Sequence, residues 1–133
     1  MRCKDAARRA EARSKGGQVD TQAVLDHHLS AFAAGDTDMA LDDYTDDSVL
    51  FTPDGIVRGR EALRSTFASF FSGLFAPGTY DFAMDRIEVA GDVAYITWQA
   101  KCAEADVRLG TDTFVVRDGK IAVQTFAALI ETR

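Results

Sequence analysis

A chain of 133 residues, 47% apolar and 27% charged, has room for one domain around one hydrophobic core. A formal net charge of -6 argues against a phosphate-backbone partner, and no apolar run approaches the roughly 18 residues of a membrane span, so neither nucleic acid nor membrane is an expected partner. No signal segment opens the sequence, which makes the cytoplasm the expected location, and Cys3 and Cys102 read as separate reduced thiols, not as a disulfide or zinc framework.

Residues 1–18 carry six basic side chains against two acidic ones, and the composition changes at Gly16-Gly17. They are expected to form a basic extension outside the core, consistent with upstream sequence translated ahead of an initiator at Val19, with the domain occupying residues 19–133. From Thr21 to Ala34, the residues Val24, Leu25, His28, Leu29 and Phe32 recur at helical spacing and stop at Gly35-Asp36. Met39, Leu41 and Tyr44 predict a short second helix ending at Asp46-Asp47. A short strand over Val49, Leu50 and Phe51 then runs into a turn at Pro53-Asp54-Gly55. A third helix opens at Gly59-Arg60-Glu61, places Leu63, Phe67, Phe70, Phe71 and Leu74 on one face, and closes at Pro77-Gly78. Four strands follow over Tyr80 to Val89, Val93 to Cys102, Val107 to Arg117 and Lys120 to Ile130, with Asp118-Gly119 as the strongest hairpin signal.

Three helices ahead of an antiparallel meander predict an α+β fold, because a sheet with one apolar face must cover it. A curved antiparallel sheet wrapped on the helices leaves a cavity at its open end.

Asp112 lies mid-strand in Leu109-Gly110-Thr111-Asp112-Thr113-Phe114, and alternation places it on one face with Phe114 and Val116. If that face is concave, burial raises its pKa and a neutral carboxylic acid becomes available at pH 7. The alternative is an outward Asp112, or one paired with a residue such as Arg108. His28 sits in the apolar stripe of the first helix and His27 is turned away from it, so only His28 points inward, either as a packed core residue or as the partner of Asp112 in a proton relay. Asp42, Asp43, Asp46 and Asp47 match no calcium loop and read as a solvated face. Metal-hydrolase, nucleotide-loop and serine-hydrolase motifs are absent from the sequence, so no metal or cofactor is expected.

The element order, with Ala31-Phe32-Ala33-Ala34-Gly35-Asp36, Tyr44-Thr45-Asp46-Asp47 and Gly110-Thr111-Asp112-Thr113-Phe114, resembles the SnoaL-like branch of the nuclear-transport-factor-2-like superfamily from about residue 20 onward. That superfamily includes ketosteroid isomerases, polyketide cyclases, dehydratases, epoxide hydrolases and members without chemistry, so the resemblance implies a cone-shaped fold more firmly than an activity. Matched to ketosteroid isomerase, Asp112 falls at the protonated oxyanion-hole aspartate, His28 at its tyrosine partner and Phe67 at a second tyrosine. Thr52 falls at the general-base aspartate, and its hydroxyl cannot shuttle a proton at neutral pH, which argues against isomerisation by that route.

The resemblance thus implies a cofactor-independent pocket for a small apolar organic ligand, with Asp112 and His28 as catalytic candidates. Tyr44, Thr52, Phe32, Phe67, Phe114, Gln124 and Phe126 are its candidate ligand contacts, and Gln124 would orient a substrate oxygen. The side taken by Trp98 is not fixed by alternation. The outer row of Val123, Thr125 and Ala127 suits a sheet-to-sheet homodimer. Three functions stay open on these residues: an isomerase, cyclase or dehydratase on a carbonyl compound, a non-catalytic ligand-binding domain, and a dimerisation scaffold.

Overall fold

Backbone hydrogen bonds at Gly35 and Asp36 end the first helix, α1 (Ala7–Ala34), where the sequence signalled. The Gly35 amide donates to the Phe32 carbonyl at 3.0 Å and the Asp36 amide to the Ala31 carbonyl at 3.1 Å, a Schellman closure that needs the left-handed φ of 65° at Gly35. Asp36 then caps α2 (Thr37–Leu41), its carboxylate accepting from the Met39 amide at 3.0 Å. The computed structural model describes the backbone of residues 7–133 and the side chains from residue 20 onward. Within that span α1 runs through Gly16-Gly17 without a break, so the composition change there does not mark the start of the first helix. Cys3 and the side chains of the predicted extension lie outside the described residues, and Cys102 is a buried free thiol.

The strands are β1 (Tyr44–Thr52), β2 (Gly55–Arg58), β3 (Asp81–Ala90), β4 (Val93–Lys101), β5 (Ala105–Arg117) and β6 (Lys120–Thr132), with α3 (Gly59–Phe71) between β2 and β3. They form one sheet in the order β2-β1-β6-β5-β4-β3. The predicted meander is β3 to β6, and its last hairpin turns at Asp118 and Gly119 with φ of 53° and 76°, the two positive values that a tight Asp-Gly turn supplies. Two expectations need correction. Tyr44 does not end the second helix but opens β1, and the sheet is mixed, because β1 runs parallel to β6. Nothing local dictates that pairing, since α3 and four strands separate the two partners and free them from hairpin geometry.

Register shifts in the β3–β4, β4–β5 and β5–β6 ladders bend the sheet so that it curves without closing. α1 packs on β3, β4 and β5, and α3 packs on β1, β2 and α2. Thr21, Val24, Leu25, His28 and Ala31 form the buried stripe of α1, and Leu63 and Phe67 the buried part of α3. Each large apolar side chain buried there contributes on the order of 1.5–3 kcal/mol. Among the described residues no helix is long and apolar enough to cross a membrane.

One close approach inside the sheet prepares the site. Gly110 of β5 faces Trp98 of β4, and a Cβ at position 110 would lie 2.3 Å from Cε2 of the indole. Only a residue without a side chain lets the ring lie flat on the strand. Gly110→Ala is therefore expected to displace Trp98 and to destabilise the protein by about 1–3 kcal/mol. Denaturant unfolding followed through the fluorescence of this sole tryptophan measures both effects.

Candidate functional site

Period-two alternation carries Asp112, Phe114 and Val116 of β5 to the inner face of the sheet, and all three are buried. The two polar partners of Asp112 are its diagonal neighbours across the ladders. Trp98 stands opposite Gly110 on β4, two positions along, and Gln124 stands opposite Phe114 on β6, two positions along the other way. Trp98 Nε1 donates to Asp112 Oδ1 at 2.8 Å, and Gln124 Nε2 donates to Oδ2 at 2.9 Å. Asp112 thus faces inward, and Arg108, the alternative partner weighed from sequence, pairs with Glu131 at the surface instead, at 2.8 Å.

The chain of hydrogen bonds continues beyond Gln124. The Tyr44 hydroxyl donates to Gln124 Oε1, and the same hydroxyl lies 3.4 Å from His28 Nδ1. His28 is boxed by the rings of Phe32, Phe67 and Phe114, the last at 5.1 Å between centroids. Asp112 and His28 therefore communicate through Gln124 and Tyr44 rather than by direct contact.

Both residues line a cavity of about 50 Å³, room on the order of three or four waters. Its walls are aromatic, built from Phe32, Phe67, Phe70, Phe75, Phe82 and Phe126, and its polar groups are His28, Asp112, Gln124 and the indole of Trp98. A second hollow of about 340 Å³, between the end of α1 and the Gly78–Tyr80 loop, shares Leu29, Phe32 and Phe82 with the first.

Burial disfavours charge throughout this site. It pushes Asp112 up to about 6, against the opposing effect of the hydrogen bonds from Trp98 and Gln124. The carboxyl group is consequently ionised for the most part at pH 7. The neutral acid is the minor form there, because two donors favour the charge. Burial, and secondarily His27, hold His28 down at about 4, so its imidazole is neutral at pH 7. Tyr44 is pushed well above the usual phenol range by burial and then by the nearby carboxylates of Asp112 and Asp43.

The remaining sequence-predicted residues divide clearly. Phe32, Phe67, Phe114, Gln124 and Phe126 line the cavity. Tyr44 is buried outside the lining and touches Gln124 rather than the cavity. Thr52 sits at the β1–β2 turn, where its hydroxyl donates to the Gly55 carbonyl at 2.9 Å and accepts from the Asp54 amide at 3.1 Å, away from the cavity lining. Asp43 does not belong to a solvated acidic face, being buried and paired with His27 Nδ1 at 2.8 Å, and burial raises its pKa. Alternation alone does not place Trp98. Its signal was a glycine two residues before a mid-strand aspartate, a gap that fits an indole on the neighbouring strand.

The profile of the SnoaL-like domain matches residues 25–124, which includes Asp112, Trp98, Tyr44, His28 and Gln124. No curated protein matches the sequence. Among solved structures, an NTF-2 like protein from Burkholderia xenovorans is similar over 88% of this chain and 87% of its own, at 20% identity and a TM-score of 0.69. A candidate polyketide cyclase from Sinorhizobium meliloti is similar over 77% and 92%, at 19% identity and a TM-score of 0.67. A ketosteroid isomerase-like protein from Erwinia carotovora atroseptica is similar over 84% and 95%, at 16% identity and a TM-score of 0.61. At such identities the likeness is one of fold. On the match of its central hundred residues, the chain belongs to the family of SnoaL-like domains.

Proposed function

We propose that the protein binds a small, largely apolar organic molecule bearing a carbonyl group and uses Asp112 as a general base to move a proton on it without a cofactor, as in isomerase, cyclase or dehydratase chemistry. The observation that carries this reading is a buried carboxylate, held by Trp98 and Gln124, on the wall of an aromatic cavity, where burial raises its pKa to about 6. A base of that strength is deprotonated at neutral pH yet still attracts a proton. Two of its roughly four acceptor sites are taken by Trp98 and Gln124, which leaves capacity for a ligand. The inner cavity suits the oxygen-bearing end of the ligand, and the hollow shared through Leu29, Phe32 and Phe82 suits its apolar body. The neutral imidazole of His28 serves as a hydrogen-bonding partner for the ligand oxygen.

A panel of aromatic and cyclic ketones in deuterated water tests the proposal, with exchange at the carbon next to the carbonyl followed by NMR. Wild-type protein should accelerate exchange, the rate should rise with pH through about 6 and then level, and Asp112→Asn should lose about 100-fold or more. Binding without exchange, with the variant changing affinity alone, would assign the site to a non-catalytic binding domain instead.

The same carboxyl group links stability to pH. Its pKa is raised in the folded state, so the stability it contributes is complete below the ordinary value of 3.8 and is lost as pH rises through about 6. Between pH 4 and pH 8, Asp112→Asn should therefore gain on the wild type by roughly 2 kcal/mol in denaturant unfolding. A pH-independent difference between the two proteins would contradict the burial of charge.

The outer face of the sheet supports a second copy of this chain as partner. Cross-strand pairs Leu109 with Leu129, Thr111 with Ala127, Thr113 with Thr125 and Val115 with Val123 make a row without a charged residue, and Leu129 is 64% exposed. A row of small, β-branched and apolar side chains can pack on itself about a twofold axis. Sedimentation at micromolar concentration should give a dimer that Thr125→Arg dissociates, and a wild-type species of 14.5 kDa would refute it.

A further inference from the structure

The four-membered chain from Asp112 to His28 has a direction, and that direction depends on a single proton. With Asp112 ionised, both carboxylate oxygens accept, from Trp98 Nε1 and from Gln124 Nε2. Gln124 must then present Oε1 to Tyr44, whose one hydroxyl proton is committed to it. The tyrosine oxygen has only acceptor capacity left for His28, so the imidazole carries its proton on Nδ1, the atom 3.4 Å away. Nε2 is left as a lone pair, and no hydrogen bond to it is made by the described residues. His28 lines the cavity.

Adding one proton to Asp112 reverses every link. Trp98 can only donate, so Oδ1 stays an acceptor and the proton settles on Oδ2. Oδ2 now needs an acceptor, and the carboxamide of Gln124 turns over to offer Oε1. Its amide nitrogen then donates to the Tyr44 oxygen, the tyrosine proton swings to His28 Nδ1, and the neutral imidazole carries its hydrogen on Nε2. The imidazole exchanges its Nδ1 proton for one on Nε2 with solvent protons reaching the cavity, so its own count is unchanged and the net gain is the single proton on Asp112.

We infer that Gln124 and Tyr44 are positioning residues that couple the protonation of Asp112 to the tautomer of His28, so that the cavity gains a hydrogen-bond donor at His28 Nε2 when Asp112 has taken a proton. Resting on the reading of Asp112 as a base for carbonyl compounds, this gives the site a specific use. The base removes a proton from the ligand, and the oxygen that thereby gains negative charge meets a donor. The ligand class is an enolisable ketone whose oxygen and acidic carbon reach His28 and Asp112 together.

The titratable and charged groups around the relay come from several elements. His27 and His28 come from α1, Tyr44 from β1, Asp112 from β5, and Asp43, paired with His27 and close to Lys120, lies just ahead of β1. β4 and β6 contribute the uncharged Trp98 and Gln124, and α3 contributes the Phe67 ring against His28. The imidazole stays neutral above about 4, so its tautomer, not its charge, responds to Asp112.

Long-range proton–nitrogen-15 correlation on histidine-labelled protein reads the tautomer directly, and the sequence holds just two histidines, assigned with His27→Gln. At pH 8 the wild type should show the Nδ1–H form of His28. Asp112→Asn should show the Nε2–H form at the same pH, because the asparagine amide donates where the carboxylate accepted. Tyr44→Phe should abolish the difference between Asp and Asn at position 112. The same His28 tautomer in wild type and Asp112→Asn, or a switch that survives Tyr44→Phe, would overturn the inference. Titrating the wild type from pH 8 to pH 5 gives the same reading without the variant, with a tautomer change expected and its absence refuting. None of these measurements uses a ligand, so a switch seen alongside failed ketone exchange would refute the catalytic proposal and leave the relay standing.

Discussion

A single carboxylate held in an apolar interior sets the demands that the rest of this site meets. Moving Asp112 out of water is costly, and the cost is offset only because Trp98 and Gln124 each bring a donor to one of its oxygens. Each donor has its own requirement. The indole lies where it does because Gly110 has no side chain, and Gln124 can turn its amide nitrogen to Asp112 because Tyr44 satisfies its oxygen. Tyr44 in turn sits against His28 on α1, so a hydrogen-bonded path crosses from the sheet to the helix that covers it.

Curvature makes this arrangement possible. The register shifts bend β3 to β6 around α1, and the concave side left between them is lined by rings rather than filled by them. Aromatic pairs such as Trp98 stacked on Phe126 at 13° and Phe32 edge-on to Phe71 at 68° hold the wall in shape. A rigid apolar wall keeps the dielectric low around Asp112, and that low dielectric moves its pKa towards neutrality.

Much of this was legible in the sequence where the signal is local. Period-two alternation put Asp112 on one face with Phe114 and Val116, helical spacing turned His28 inward, and Asp118-Gly119 marked the last hairpin. What depends on distant partners was not legible. The parallel neighbour of β1, the strand identity of Tyr44 and the diagonal reach of Trp98 and Gln124 all follow from inter-strand register, which composition does not encode. Asp43 escaped for a related reason, since a run of aspartates looks solvated until one of them is seen under His27. Thr52 was drawn towards the cavity by likeness to an isomerase, whereas its hydroxyl closes a turn.

Carbon-13 NMR of the Asp112 carboxyl group reads its protonation directly. A titration midpoint near 6 is expected, well above the 3.8 of an ordinary aspartate. A midpoint at or below that ordinary value would mean that water or an unrecognised cation solvates the charge, and that Asp112 is not a buried base.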